Sequence, residues 1–99
     1  MNDIKNIICT QQIKAARMLL AWDQVELASR ASVGVATLRR IEAHHGQALG
    51  SPGSVAKIVS ALERAGIEFL GTPDRQPGVR LNITKSTSNS ELIIDRGSD

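Results

Sequence analysis

The side chains able to do chemistry are few and mostly basic. Arg39 and Arg40 stand side by side, late in a short periodic segment that opens with Val35 and Ala36. If that segment is a helix, Ala36, Arg39, Arg40 and Ala43 share its outer face and Thr37, Leu38 and Ile41 its inner face. Small residues first and guanidinium groups later make a surface suited to a major groove. Arginine forks match guanine O6/N7 and phosphate oxygens. His44 and His45 follow; neighbours on a helix point apart and no third ligand follows at a metal-site spacing, so no metal is expected. Exposed positions near a phosphate backbone suit them better. Cys9 is the single cysteine, which excludes an internal disulfide and a cysteine-based zinc site. It is expected as a small buried apolar group. There is no acid–base pair at a set spacing, no glycine-rich phosphate loop before a helix and no nucleophile with a base. Neither catalytic residues nor a cofactor are expected, and the chain does not read as an enzyme.

The arginine segment must be held by what precedes it. Residues 24 to 42, QVELASRASVGVATLRRIE, read as a helix, a tight turn and a second helix. Leu27, Ala31, Val33, Leu38 and Ile41 are spaced to close a small core, and Ala28 sits where the two helices approach. Asp23 and Glu26 form a capping-box pattern, with Trp22 and Leu27 as a hydrophobic staple. The turn is Ala31 to Gly34, and Gly34 can cap the helix from about Val35 to Ala43.

Before this unit, Thr10 is a plausible N-cap for a helix over 11–21. Ile13, Ala16, Arg17 and Leu20 fall on one face of it, so Arg17 needs a partner inside an apolar stripe. Met18 and Leu19 lie off the stripe and need cover from the N-terminal arm, the C-terminal segment or a second subunit. After the unit, Gly46 suits the end of the arginine helix, and Pro52 suits the first position of another. There Val55, Ile58, Val59 and Leu62 form the buried stripe. From Ile67 the period becomes two. Ile67 and Phe69, then Val79, Leu81 and Ile83, read as a hairpin joined by a loop of several residues marked by Pro73, Pro77 and Gly78. Leu92 to Ile94 suggest a short third strand.

Ninety-nine residues, 41% hydrophobic and 22% charged, suit one small domain with an aliphatic core, since Trp22 and Phe69 are the only aromatics. Twelve basic and ten acidic residues leave a net charge of +2, compatible with nucleic-acid binding. No run spans a bilayer and no signal pattern opens the chain, which reads as cytoplasmic. The expected organisation is an N-terminal arm (1–9), a mainly α, four-helix unit (10–66), a β-hairpin (67–84) and a tail (85–99) with a short strand at 91–95.

From Gln12 to Leu70, and above all over residues 24–42, the chain resembles the lambda-repressor-like, Cro-type (XRE) helix-turn-helix family in its small bacterial form. In that form strands replace the usual fifth helix. The resemblance implies that Gln24 holds a phosphate and that Val35, Ala36 and Arg40 read bases. Thr37 and Arg39 contact the backbone, and His44, His45 and Gln47 touch phosphates. It also implies that Arg17 pairs with Glu42 as structural scaffold. Two positions depart from the family pattern. Ser32 stands where glycine is usual, and Gly34 where serine or threonine often caps. Val35 and Ala36 cannot hydrogen-bond bases, so specificity would rest on Arg40 and DNA shape.

The function these readings imply is a sequence-specific double-stranded-DNA-binding transcriptional regulator, a repressor acting as a homodimer on an inverted repeat. The alternative is an antitoxin or protein-interaction module on the same fold, with residues 72–99 contacting a toxin or another regulator. Neither involves a membrane.

Overall fold

In the computed structural model, which describes residues 8–44 and 51–83, four α-helices precede a two-stranded antiparallel hairpin. The helices are α1 (Thr10–Leu19), α2 (Gln24–Ala31), α3 (Val35–Glu42) and α4 (Pro52–Arg64). The strands are β1 (Ile67–Thr72) and β2 (Arg75–Leu81). The expected strand at 91–95, Gly46 and nearly all of the N-terminal arm lie outside the described residues. Helix α3 ends earlier than Gly46 implied, because Ala43 is its C-cap, its N–H bonded back to Arg40 O and the His44 N–H to Ile41 O.

Helix α1 begins one residue before the expected start. Cys9, not Thr10, is its N-cap, with extended backbone. Gln12 Oε1 accepts the Cys9 N–H at 3.0 Å. Thr10 is fully buried in the first turn, and its hydroxyl donates to the Ile41 carbonyl at 3.1 Å. That distant acceptor takes the hydroxyl away from local capping. The helix also ends at Leu19 rather than Ala21. Ala21 turns left-handed at φ 58°, its N–H donates to Met18 O, and the Trp22 N–H donates to Arg17 O. These paired bonds close a helix through a residue in the left-handed region.

The α2–α3 connection repeats the device. Asp23 Oδ1 accepts from the Glu26 N–H at 2.8 Å, so Asp23 caps α2. Glu26 does not return the bond expected of a capping box; its carboxylate pairs with Arg30 one turn on. At the other end Ser32 is left-handed (φ 59°, ψ 42°), and the Val33 N–H reaches Ala28 O. A side chain in that region costs on the order of 1 kcal/mol, which the packing of Val33 and Leu38 must offset. Gly34 caps α3 without a side-chain bond. On α4, Ser51 accepts from the Ser54 N–H and Pro52 occupies the first turn, where a missing N–H costs nothing.

Ile13, Leu27, Leu38, Ile41, Ile58, Leu62 and Ile67 have essentially no exposed surface and form one core with Ala16, Ala28 and Ala31. Burying each large side chain contributes about 1.5–3 kcal/mol. Helix α2 packs against α3 and α4, and α1 against α3 and the hairpin. Cys9 is a free, buried thiol.

The strands run further into the turn than the prolines suggested and the turn is tighter, but β2 stops at Leu81, so Ile83 lies past the hairpin rather than in it. Pro77 and Gly78 lie within β2, and Thr72 pairs with Arg75 across Pro73 and Asp74. A bulge between Leu70 and Thr72 takes up the irregularity, with Gln76 at φ 54° and Gly71 at φ 70°. Proline beside a bulge is tolerated because the ladder bond it cannot donate is already interrupted. A Cβ on Gly71 would lie 2.2 Å from the Gln76 carbonyl oxygen, so this backbone crossing requires glycine.

Candidate nucleic-acid interface

Helix α3 is anchored at its C-terminal end and free along one face. Thr10 holds the Ile41 carbonyl. Arg17 meets Glu42 with two parallel bonds, Nε to Oε2 at 2.9 Å and Nη2 to Oε1 at 2.8 Å. The third guanidinium nitrogen, Nη1, donates to the Trp22 carbonyl at 3.1 Å. The side chains are 14% and 3% exposed, so this is a nearly dry, bidentate pair. One arginine thus ties α1 to the end of α3 and to the α1–α2 join, which satisfies a cation inside an apolar stripe.

Gln24 completes the cluster. Its Nε2 donates to Glu42 Oε1 at 2.9 Å, so that oxygen accepts from both Arg17 and Gln24. Nothing in the spacing of the sequence pointed Gln24 at Glu42. The family resemblance implies a phosphate contact for Gln24, whereas here one N–H of its amide is turned onto Glu42. The amide carries two N–H groups and Glu42 takes one, which leaves a second donor.

The opposite face of α3 is open. Ala36, Arg39, Arg40 and Ala43 are exposed, as is His44 just beyond. Thr37 is half-buried, and Arg40 Nη2 lies 3.5 Å from its Oγ1, at the outer limit of a hydrogen bond. Val35 is also half-buried and packs against the core, so part of its apolar surface is already used. Of the residues assigned to base reading, Ala36 and Arg40 therefore face solvent and Val35 does so only in part. His45 and Gln47 lie outside the described residues.

This surface can present two guanidinium groups, with small side chains that let a flat or grooved partner approach the helix backbone. Among the described residues no group of His, Cys, Asp and Glu is arranged to hold a metal ion. No described helix is long and apolar enough to cross a membrane. No family model, curated protein or solved structure matches the chain.

Sequence reasoning missed one structural residue entirely. Gln12, 2% exposed, donates through Nε2 to Leu70 O at 2.8 Å and to Gly78 O at 2.9 Å, while its Oε1 takes the Cys9 N–H. Leu70 and Gly78 face each other across the two strands, so one amide clamps α1 to both. Its place at the third position of a capping box with Cys9 is a local signal, but its two strand partners lie 58 and 66 residues away and leave no mark in the local pattern.

Proposed function

We propose that the chain is a lambda-repressor-like, XRE-type helix-turn-helix regulator that binds double-stranded DNA, as a homodimeric repressor on an inverted repeat. The observation that supports this best is the pairing of a rigid rear with a free front on α3. Thr10, Arg17 and Gln24 fix its C-terminal end, and Arg39 and Arg40 stand on its exposed face. A reading helix must be held at a set angle, because a hydrogen-bonded base contact tolerates little misplacement.

In this reading α3 lies in the major groove and Arg40 donates to guanine O6 and N7. Ala36 lets the helix approach closely or meets a thymine methyl. Arg39, Thr37, His44 and the second N–H of Gln24 hold phosphates. Two copies would meet half-sites about one helical turn apart. The test is selection from a randomised duplex pool with wild type and Arg40→Ala in parallel. A palindrome containing a guanine that only wild type prefers is the expected outcome. Failure to enrich any sequence at low salt would overturn sequence-specific recognition.

A second reading, a protein-interaction module of the antitoxin kind, draws on a different observation. Met18, Leu19 and Val25 are 68%, 48% and 59% exposed among the described residues, an apolar display that a phosphate backbone would not use. Residues 72–99 would supply the rest of the contact. A partner held this way should survive salt that strips DNA from α3.

A further inference from the structure

A second basic surface lies between α2 and α4, and no residue of α3 lines it. Lys57, Ser60 and Arg64 follow the i, i+3, i+7 spacing, so they share one face of α4. Opposite them stand Arg30, in the last turn of α2, and the left-handed Ser32. Together with Ala31 and Ala56 they border a concavity of about 350 Å³ whose described lining includes no acidic side chain. Arg30 and Arg64 also border a smaller neighbouring concavity of about 220 Å³, with Trp22 on its wall.

The cations are set in place by different means. Arg30 lies 4.5 Å over the Trp22 ring, and Glu26 engages its Nε. Arg64 Nη2 donates to the Arg30 carbonyl at 3.4 Å, satisfying the exposed end of α2. Lys57 makes no ion pair among the described residues. Capping a helix end explains one bond of Arg64 and the macrodipole explains one charge on each helix. Neither explains Lys57, which stands nearer the middle of α4 and adds a third positive charge to the same hollow. Glu26 offsets the charge of Arg30, so Arg64 and Lys57 leave the hollow with a net positive charge that an anion can neutralise.

We propose that this cleft binds a small phosphate-class polyanion, at a site separate from the exposed face of α3. The forks of Arg30 and Arg64 supply planar paired donors for phosphoryl oxygens, and Lys57 supplies a mobile point charge. Ser32 lines the same concavity. The short side chains of Ala31 and Ala56 leave room for the anion near the backbone. Because the anion binds only where the folded chain gathers the three cations, it raises the melting temperature by linkage.

The test is a 1H–15N titration of the full chain with sodium pyrophosphate, and separately with orthophosphate, each matched in ionic strength by sodium chloride. The expected result is saturable shifts at the Ser32, Lys57 and Ser60 amides, absent with chloride, with pyrophosphate tighter than orthophosphate. Lys57→Gln, at an exposed position, should weaken the pyrophosphate midpoint about tenfold or more, the effect of losing one charge-assisted contact. Arg39→Gln should leave the midpoint unchanged. Shifts reproduced by chloride, or an equal loss in Arg39→Gln, would overturn the proposal. So would the same amides moving on addition of a short duplex, since the cleft would then belong to a DNA-backbone contact. The proposal is independent of DNA recognition: a chain that enriches no duplex can still titrate with pyrophosphate.

Discussion

Gln24 Nε2 donates to Glu42 Oε1 at 2.9 Å, joining the first residue of α2 to the last residue of α3. Both helix termini therefore share one carboxylate, which Arg17 neutralises from α1. Any residue acting at the start of α2 is mechanically coupled to the face of α3.

The first prediction concerns that carboxylate. Arg17→Met should destabilise the fold by about 3–5 kcal/mol, because Glu42 would be left buried without its cation. Arg17→Met with Glu42→Leu should cost less than Arg17→Met alone, since no charge remains to be desolvated. Urea unfolding of the two single variants and the double variant gives the coupling directly. Additive effects would show that the pair does not act as a unit.

Ser32 provides a prediction of opposite sign. Its left-handed backbone suits glycine, so Ser32→Gly should raise stability by up to about 1 kcal/mol. The same substitution at a right-handed helical position such as Ser29 should lower it by a similar amount. Denaturant midpoints at unchanged slope would establish both.

Gln12 governs the hairpin. In Gln12→Leu, Leu70 O, Gly78 O and the Cys9 N–H lose a shared partner, at a cost of about 1–3 kcal/mol. The loss should be local. Amide exchange should quicken in β1 and β2 before it changes in α2 or α3. Uniform acceleration across all elements would show that the hairpin and helices open together.

Arg39 and Arg40 should separate in a salt titration of duplex binding. Arg39→Ala should reduce the slope of log K against log salt by about 0.9, the mark of one lost phosphate contact, and weaken all sequences alike. Arg40→Ala should instead relax preference at one base pair, costing about 1–3 kcal/mol on the best site. Identical behaviour of the two variants would remove the distinction between reader and backbone contact.

Much of this architecture is legible in the sequence because its determinants are local. Asp23 and Pro52 mark helix starts by the donors they satisfy or lack, and Val55, Ile58, Val59 and Leu62 mark a face by spacing alone. What escaped depends on distant partners. Thr10 is a good capping residue by type, yet the Ile41 carbonyl claims its hydroxyl. Pro77 and Gly78 read as a loop by composition, yet a bulge admits them to a strand. At the candidate interface, the exposure of Arg39, Arg40 and Ala36 follows from periodicity. The partial burial of Val35 and the bond from Gln24 to Glu42 depend on how neighbouring helices pack.

Trp22 is the only tryptophan, and the chain has no tyrosine, so its ultraviolet emission comes from one known place. That indole sits at the α1–α2 join beneath Arg30, on the side of α4 rather than beside the hairpin. Fluorescence therefore observes the helical body and is blind to the strands. If the hairpin can detach on its own, the optical melt and a backbone circular-dichroism melt will part company. The protein then carries an internal reporter of whether it unfolds in one step or two.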